Sequence, residues 1–251
     1  MCWKRKKPEI VPVTGERIAL LFAINDYRGS DADLRGCLND IDGVERKLRA
    51  EFADFEIRKF KDAEVTTFRF VSEIESALSS KAKVIYIHYS GHGTQVGSQE
   101  ALYLHNGILM DSVICDLQNK TPDDKLVVAK FDSCFSGGMD DRKMNYRKDR
   151  FYAIPGMPVE KHLKHIGRSD VQKWVIFAGC GENQTSADAY INGRYNGAFT
   201  FYDLKSYGVH YSYSAEQSKL RTYLPSLKEQ FDQAPELTGP DELITKTVFT
   251  N

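Results

Sequence analysis

Residues 83–95, KVIYIHYSGHGTQ, run from an unbroken apolar stretch into a histidine held between two glycines. A run rich in β-branched and aromatic residues and closed by glycine predicts a buried strand over KVIYIHYS (83–90). Similar runs occur at RIALLFAI (17–24), KLVVAKFD (125–132) and KWVIFAG (173–179). A short alternating strand is expected at FEIRKF (55–60) and a closing edge strand at ITKTVF (244–249). Helical periodicity fills the gaps. CLNDIDGVERKLRAEF (37–52) spaces Leu38, Ile41, Val44, Leu48 and Phe52 along one face. VTTFRFVSEIESAL (65–78) does the same with Val65, Phe68, Val71, Ile74 and Leu78, and SAEQSKLRTYLPSLKEQF (214–231) predicts a late helix despite Pro225. Strands alternating with helices predict an α/β protein with a mainly parallel six-stranded sheet and helices on both faces.

A chain of 251 residues suits one large domain. A net charge of −1 gives no reason to expect a nucleic-acid partner. No apolar run reaches the length of a membrane span, and the basic opening MCWKRKKPEIVPV (1–13) lacks the apolar core of a secretory leader. The five cysteines (2, 37, 115, 134 and 180) are odd in number and widely spaced, with no CxxC pair. A reducing, cytoplasmic setting is therefore expected, without disulfides or structural zinc. Between residues 139 and 172 the periodicity breaks. Arg142, Lys143, Arg147, Lys148 and Arg150 cluster there, in what reads as a solvated connection or a functional loop.

In parallel sheets the working residues gather beyond the carboxyl ends of the strands. Three polar or glycine clusters fall there: NDYRGS (25–30), SGHGTQ (90–95) and DSCFSGG (132–138). The glycines at 91, 93 and 97 miss the dinucleotide-binding spacing. His88 and His92 are four apart but share no helical face, so zinc is not expected and His88 reads as a packed strand residue. His92 differs, because its flanking glycines leave the ring uncluttered. Cys134 lies at the end of what should be a neighbouring strand. A thiol needs a base or a cationic neighbour to become a thiolate near neutral pH, and an imidazole across two strand ends is the simplest supplier. Glycines beside both residues also free backbone N–H groups for a developing oxyanion.

Four stretches together resemble the conserved blocks of metacaspases, which are caspase-like cysteine peptidases. They are ALLFAINDYRGSDADLRGCLNDI (19–41), YIHYSGHGTQ (86–95), FDSCFSGG (131–138) and FAGCGENQTSADA (177–189), in the family's order, with LKEQFDQAPEL (227–237) resembling the end of its small-subunit region. The resemblance covers residues 17–249 and implies a caspase-like fold. It implies a short basic extension (1–16), then one domain (17–251) with a large-subunit-like part (17–141), a connecting loop (142–172) and a small-subunit-like part (173–251).

It further implies that Cys134 is the nucleophile and His92 the general base, with the N–H groups of Gly93 and Cys134 as oxyanion hole. Asp40, Ser90 and Asp132 match the family's acidic specificity pocket, so protein or peptide substrates with Arg or Lys before the cleaved bond are expected. Paired carboxylates suit such a cation, and Asp132 stands where caspases, which cut after Asp, carry glutamine. No cofactor is required for the chemistry. An activating Ca²⁺ is implied at Glu100, Asp111 and Asp140, with Met110 where one family aspartate would align. Asp123 and Asp124 are a second acidic pair, better read as a loop cap. Self-cleavage within 139–172, a monomeric state and independence from membranes complete the expectations. The alternative is an inactive caspase-like module that binds a protein partner through the same cleft.

Overall fold

The computed structural model describes residues 15–28, 31–52, 54–134, 147–155, 172–181, 184–226 and 231–250. In chain order, β1 (Arg17–Ala23), α1 (Cys37–Glu51), β2 (Phe55–Lys61), α2 (Thr67–Leu78) and β3 (Val84–Ser90) come first. A small hairpin region follows: β4 (Gly93–Val96), β5 (Gln99–Leu104), β6 (Gly107–Met110) and α3 (Asp111–Asn119). Then come β7 (Leu126–Asp132), β8 (Arg147–Asp149), β9 (Trp174–Ala178), β10 (Ala187–Ile191) and β11 (Arg194–Gly197). The chain continues through α4 (Ala198–Asp203), α5 (Tyr213–Leu220), β12 (Glu236–Thr238) and α6 (Asp241–Ile244).

The expected six-stranded sheet is present, in the order β12-β9-β7-β3-β1-β2. Five strands are parallel and β12 lies antiparallel on β9. Every residue of β3 and β7 is buried, so both faces of the central strands are covered, as parallel strands require. That is why these strands read as continuous apolar runs rather than as alternation. The sheet draws strands from both 17–141 and 173–251. Among the described residues no helix is long and apolar enough to cross a membrane.

Three expectations are corrected. ITKTVF is not an edge strand: residues 241–244 form α6, and the true edge is β12. Phe249 instead turns into the core at 1% exposure, packing edge-on against Phe52, Phe55 and Tyr86 with ring centroids 5.0–5.2 Å away. The late helix stops at Leu220, ahead of Pro225, which lacks an N–H and disfavours helix in the residue before it. In α2 the buried stripe is Phe70, Ile74, Ala77 and Leu78, while Phe68 is 43% exposed. The helix begins only after Thr66, whose hydroxyl accepts from the Arg69 N–H and sets the rotation of the apolar face.

Candidate active site

β3 and β7 are hydrogen-bonded neighbours whose last paired residues are Ser90 and Asp132. Two residues further along each chain stand His92 and Cys134. Parallel pairing thus brings the glycine-flanked imidazole and the thiol to one end of the sheet, as their places at strand ends suggest.

Between them runs a third piece of chain. β8 pairs antiparallel with β10, setting Asp149 opposite Ala187 and Lys148 opposite Asp188. The next residue, Arg150, donates its N–H to the Ser186 carbonyl at 3.0 Å. Its own carbonyl oxygen accepts two hydrogen bonds, from Gly93 N–H at 2.8 Å and Cys134 N–H at 3.1 Å. Beyond it, Tyr152 N–H donates to the Gly93 carbonyl at 2.9 Å, and Thr94 Oγ1 donates to the Tyr152 carbonyl at 2.7 Å. An extended segment is therefore clamped on both sides of one peptide carbonyl.

The Arg150 side chain is fully buried among acids. Nη2 lies 2.8 Å from Asp40 Oδ2 and 3.1 Å from Asp188 Oδ1; Nη1 lies 2.7 Å from Ser90 Oγ and 3.2 Å from Asp132 Oδ2. Each acid is held from behind. Gly197 N–H and Ser90 Oγ donate to Asp40, the N–H groups of Arg35 and Gly36 to Asp188, and Thr200 and Ser186 to Asp132. Three carboxylates around one guanidinium leave an excess of acid in a dry pocket. Burial accordingly pushes the Asp40 carboxyl up to about 7, with Arg150 opposing and Asp132 reinforcing the rise. Burial works against the Arg150 charge too, but Asp132, Asp40 and Asp188 outweigh it and hold that group well above its ordinary value.

Gly197 closes the pocket. A Cβ there would strike Asp132 Oδ2 and lie 2.5 Å from Arg150 Nη1, although its φ of −69° suits any residue. Gly197→Ala therefore fills the guanidinium's place without straining the backbone. Overpacking of this kind should destabilise the fold by about 1–3 kcal/mol, as read by denaturant unfolding, and unchanged stability would remove Gly197 from the pocket.

His92 is 1% exposed. Its N–H donates to the Tyr27 hydroxyl at 2.7 Å, and ring Nε2 lies 2.6 Å from the Ala32 carbonyl. Nδ1 is buried with no hydrogen-bond partner among the described residues. Burial pushes the imidazole down to about 4, with the Ala32 carbonyl opposing. The Cys134 thiol, pushed up by burial, meets the backbone of Ser186, donating to its carbonyl at 3.2 Å and accepting from its N–H. Among the described residues His92 and the thiol make no hydrogen bond to each other.

The structure thus gathers His92, Gly93 and Cys134 at one carbonyl, and Asp40, Ser90 and Asp132 at one guanidinium. Glu100 and Asp111 lie elsewhere: Glu100 pairs with Gln95 in the β4–β5 hairpin, and Asp111 opens α3 just after β6. Asp140, expected with them, lies outside the described residues. Two carboxylates fall short of the six to eight oxygens Ca²⁺ takes, and no group of three or more His, Cys, Asp or Glu that could hold a metal occurs among the described residues. Asp123 pairs with Lys173 at 2.9 Å, and Asp124 with Lys83. His88 is a packed strand residue, its ring nitrogens 3.3 Å from Tyr86 and Thr200 hydroxyls.

Asp188, Ser186, Gly197, Tyr27 and Ala32 were not anticipated. One signal was present: Asn192-Gly193, the hairpin dipeptide, with φ of 52° and 85°. It marks the β10–β11 hairpin that carries Asp188 and Gly197.

This geometry defines an α/β protein whose strand ends hold a thiol, an imidazole and an acidic, arginine-filled pocket. A family model described as "Caspase domain" matches residues 16–239. Metacaspase-1 of Lodderomyces elongisporus is 26% identical over 90% of this chain and 65% of its own length. Metacaspase-2 of Trypanosoma brucei brucei is 26% identical over 70% of this chain and 58% of its own. Metacaspase-6 of Arabidopsis thaliana is 31% identical over 49% and 39%. The chain thus spans about two thirds or less of the length of these relatives. A crystal structure of a Geobacter sulfurreducens protein shares the fold, with a TM-score of 0.71 and 22% identity over 94% of this chain and 98% of that one. The chain belongs to the caspase-domain family, as a metacaspase-like member.

Proposed function

We propose that the protein is a cysteine endopeptidase that cleaves after arginine or lysine, and that its own Arg150–Phe151 bond is a substrate. The observation that carries this is Arg150, whose carbonyl takes two backbone N–H bonds while its guanidinium fills the acidic pocket. That is the posture of a residue about to be cut. Gly93 and Cys134 N–H serve as the oxyanion hole. Asp40, Ser90 and Asp132 form the specificity pocket, with Asp188 as a fourth member. The Cys134 thiol gives its proton to His92, which burial keeps neutral at pH 7, and sulfur bonds to the arginyl carbonyl carbon. The C–N bond to the next residue breaks, its nitrogen taking the proton from His92. Water then hydrolyses the thioester, releasing the arginyl carboxylate and restoring the thiol.

Peptide mass analysis of the purified chain tests this reading. Arginyl and lysyl peptides should be hydrolysed, aspartyl peptides not, and a new end at Arg150 should accumulate. Arg150→Ala should stay uncut at that position. Silence on every peptide would instead support the partner-binding module. Activation by Ca²⁺, the expectation placed on Glu100, Asp111 and Asp140, is checked by titration with Ca²⁺ and a chelator. A monomer is expected, as is a reducing cytoplasmic setting that keeps Cys37, Cys115, Cys134 and Cys180 free.

The pocket also sets a pH dependence. With arginine bound, Asp40 carries its charge above about 7 and loses it below. The attraction for the bound guanidinium weakens as pH falls through about 7, so turnover of an arginyl peptide should decline there toward the level of an uncharged residue at position 40. Asp40→Asn should show a lower plateau and no such limb.

A further inference from the structure

We propose that the groove beyond the Arg150 carbonyl is a substrate subsite for an aromatic side chain at the second residue after the cleaved bond. This inference rests on the peptidase reading above and extends it to the leaving side of the substrate.

The occupant that reveals the subsite is Tyr152. Its ring stacks on Tyr103 with centroids 4.3 Å apart and planes 11° from parallel. Tyr103 stacks in turn on Tyr27, at 5.5 Å and 9°. Three rings therefore form one column, and the last of them stands 4.8 Å from the His92 ring. Such stacking favours a flat, π-bearing side chain over an aliphatic one of similar area.

The register is set by backbone and not by the ring alone. Phe151 bridges to Gly93 in parallel fashion, and Tyr152 is tied at both its N–H and its carbonyl, to Gly93 and Thr94. Gly93 thus uses its N–H on the Arg150 carbonyl and its carbonyl on the Tyr152 N–H. A peptide with arginine in the acidic pocket must then present its second following side chain to Tyr103.

The platform is rigid for a further reason. Tyr103 N–H donates to the His92 carbonyl at 3.0 Å, and the Tyr89 hydroxyl lies 3.0 Å from the Tyr103 carbonyl and 2.9 Å from that of His92. The aromatic column and the imidazole share one scaffold.

Internally quenched peptides that contain arginine, a constant next residue and Tyr, Phe, Trp, Leu or Ala after it test the proposal. With wild-type protein, kcat/KM for the aromatic peptides should exceed that for the alanine peptide by about 3- to 10-fold, with leucine nearer alanine. Tyr103→Leu should bring that ratio toward 1, whatever happens to absolute rates, and Tyr103→Phe should restore it. Equal rates in wild type, or a preference that survives Tyr103→Leu, would overturn the subsite. An arginyl-coumarin amide has no residue at the second position, so its hydrolysis reports the peptidase reading separately.

If no peptide is cut, amide exchange in uncut Cys134→Ala protein reads the same contact. Tyr103→Leu should speed exchange of the Tyr152 N–H by about 3- to 10-fold, and unchanged exchange would refute the inference.

Discussion

Cys134→Ala protein should show no hydrolysis of arginyl peptides, a loss of at least about 10⁴-fold, and should keep its Arg150–Phe151 bond intact. The sulfur sits two residues beyond the end of β7, on the residue whose N–H also binds the Arg150 carbonyl at 3.1 Å. In the proposed reaction the substitution deletes the atom that would form the acyl bond, and it leaves that N–H in place. Arginine should therefore still bind the pocket while turnover disappears, a split that separates chemistry from recognition. The intact mass of the variant and its rate on a fluorogenic arginyl peptide are the measurements. Cleavage at Arg150 persisting in this variant would assign the cut to another protease and end the proposal.

Asp132→Ala should damage both fold and selectivity. Its Oδ2 accepts from Thr200 N–H at 2.9 Å and Thr200 Oγ1 at 2.6 Å, and faces Arg150 Nη1 at 3.2 Å; its Oδ1 accepts from Ser186 Oγ at 2.5 Å. One buried carboxylate thus ties β7 to the loop before β10, to the start of α4 and to the arginine. Removing it strands the Thr200 and Ser186 donors and takes one of three carboxylates from the buried guanidinium, at a cost of about 1–3 kcal/mol for each group left unsatisfied. Denaturant unfolding measures that cost. Asp132→Asn keeps an oxygen for Thr200 but loses the charge, so it should recover part of the stability and little of the preference for arginine. Equal hydrolysis of arginyl and uncharged peptides is expected of both variants. A preference for arginine unchanged in Asp132→Asn would show that the remaining acids suffice.

Much of this arrangement is legible in the chain, because the physics behind it is local. Strands β3 and β7 announce themselves because both faces are buried, so only His88 and Lys130 interrupt the apolar runs before the strand ends. The glycines around His92 and the break in apolar character at Asp132 mark those ends directly. Elsewhere local pattern misleads. ITKTVF has strand-like composition, yet Val248 and Phe249 are apolar because they fill the core beside Tyr86 and Tyr207. β12 spans only Glu236–Thr238, too short for any periodicity to show.

The sequence by itself determined the alternating α/β order, the strand ends that carry the thiol and imidazole, and a basic segment somewhere after Cys134. It could not say which of five basic residues matters, since all five look alike in a charged stretch. Only the tertiary structure decided that Arg150, among the described residues, is the one buried among acids, because burial of a guanidinium is tolerable only where acids converge. Those acids are remote in the chain: Asp40 is 110 residues from Arg150, and Asp40 accepts from the N–H of Gly197, 157 residues away. Asp188 joins them through the pairing of β8 with β10, a contact between strands distant in sequence. Such convergence depends on strand register and loop closure, which act across the whole molecule and leave no periodic trace in the chain.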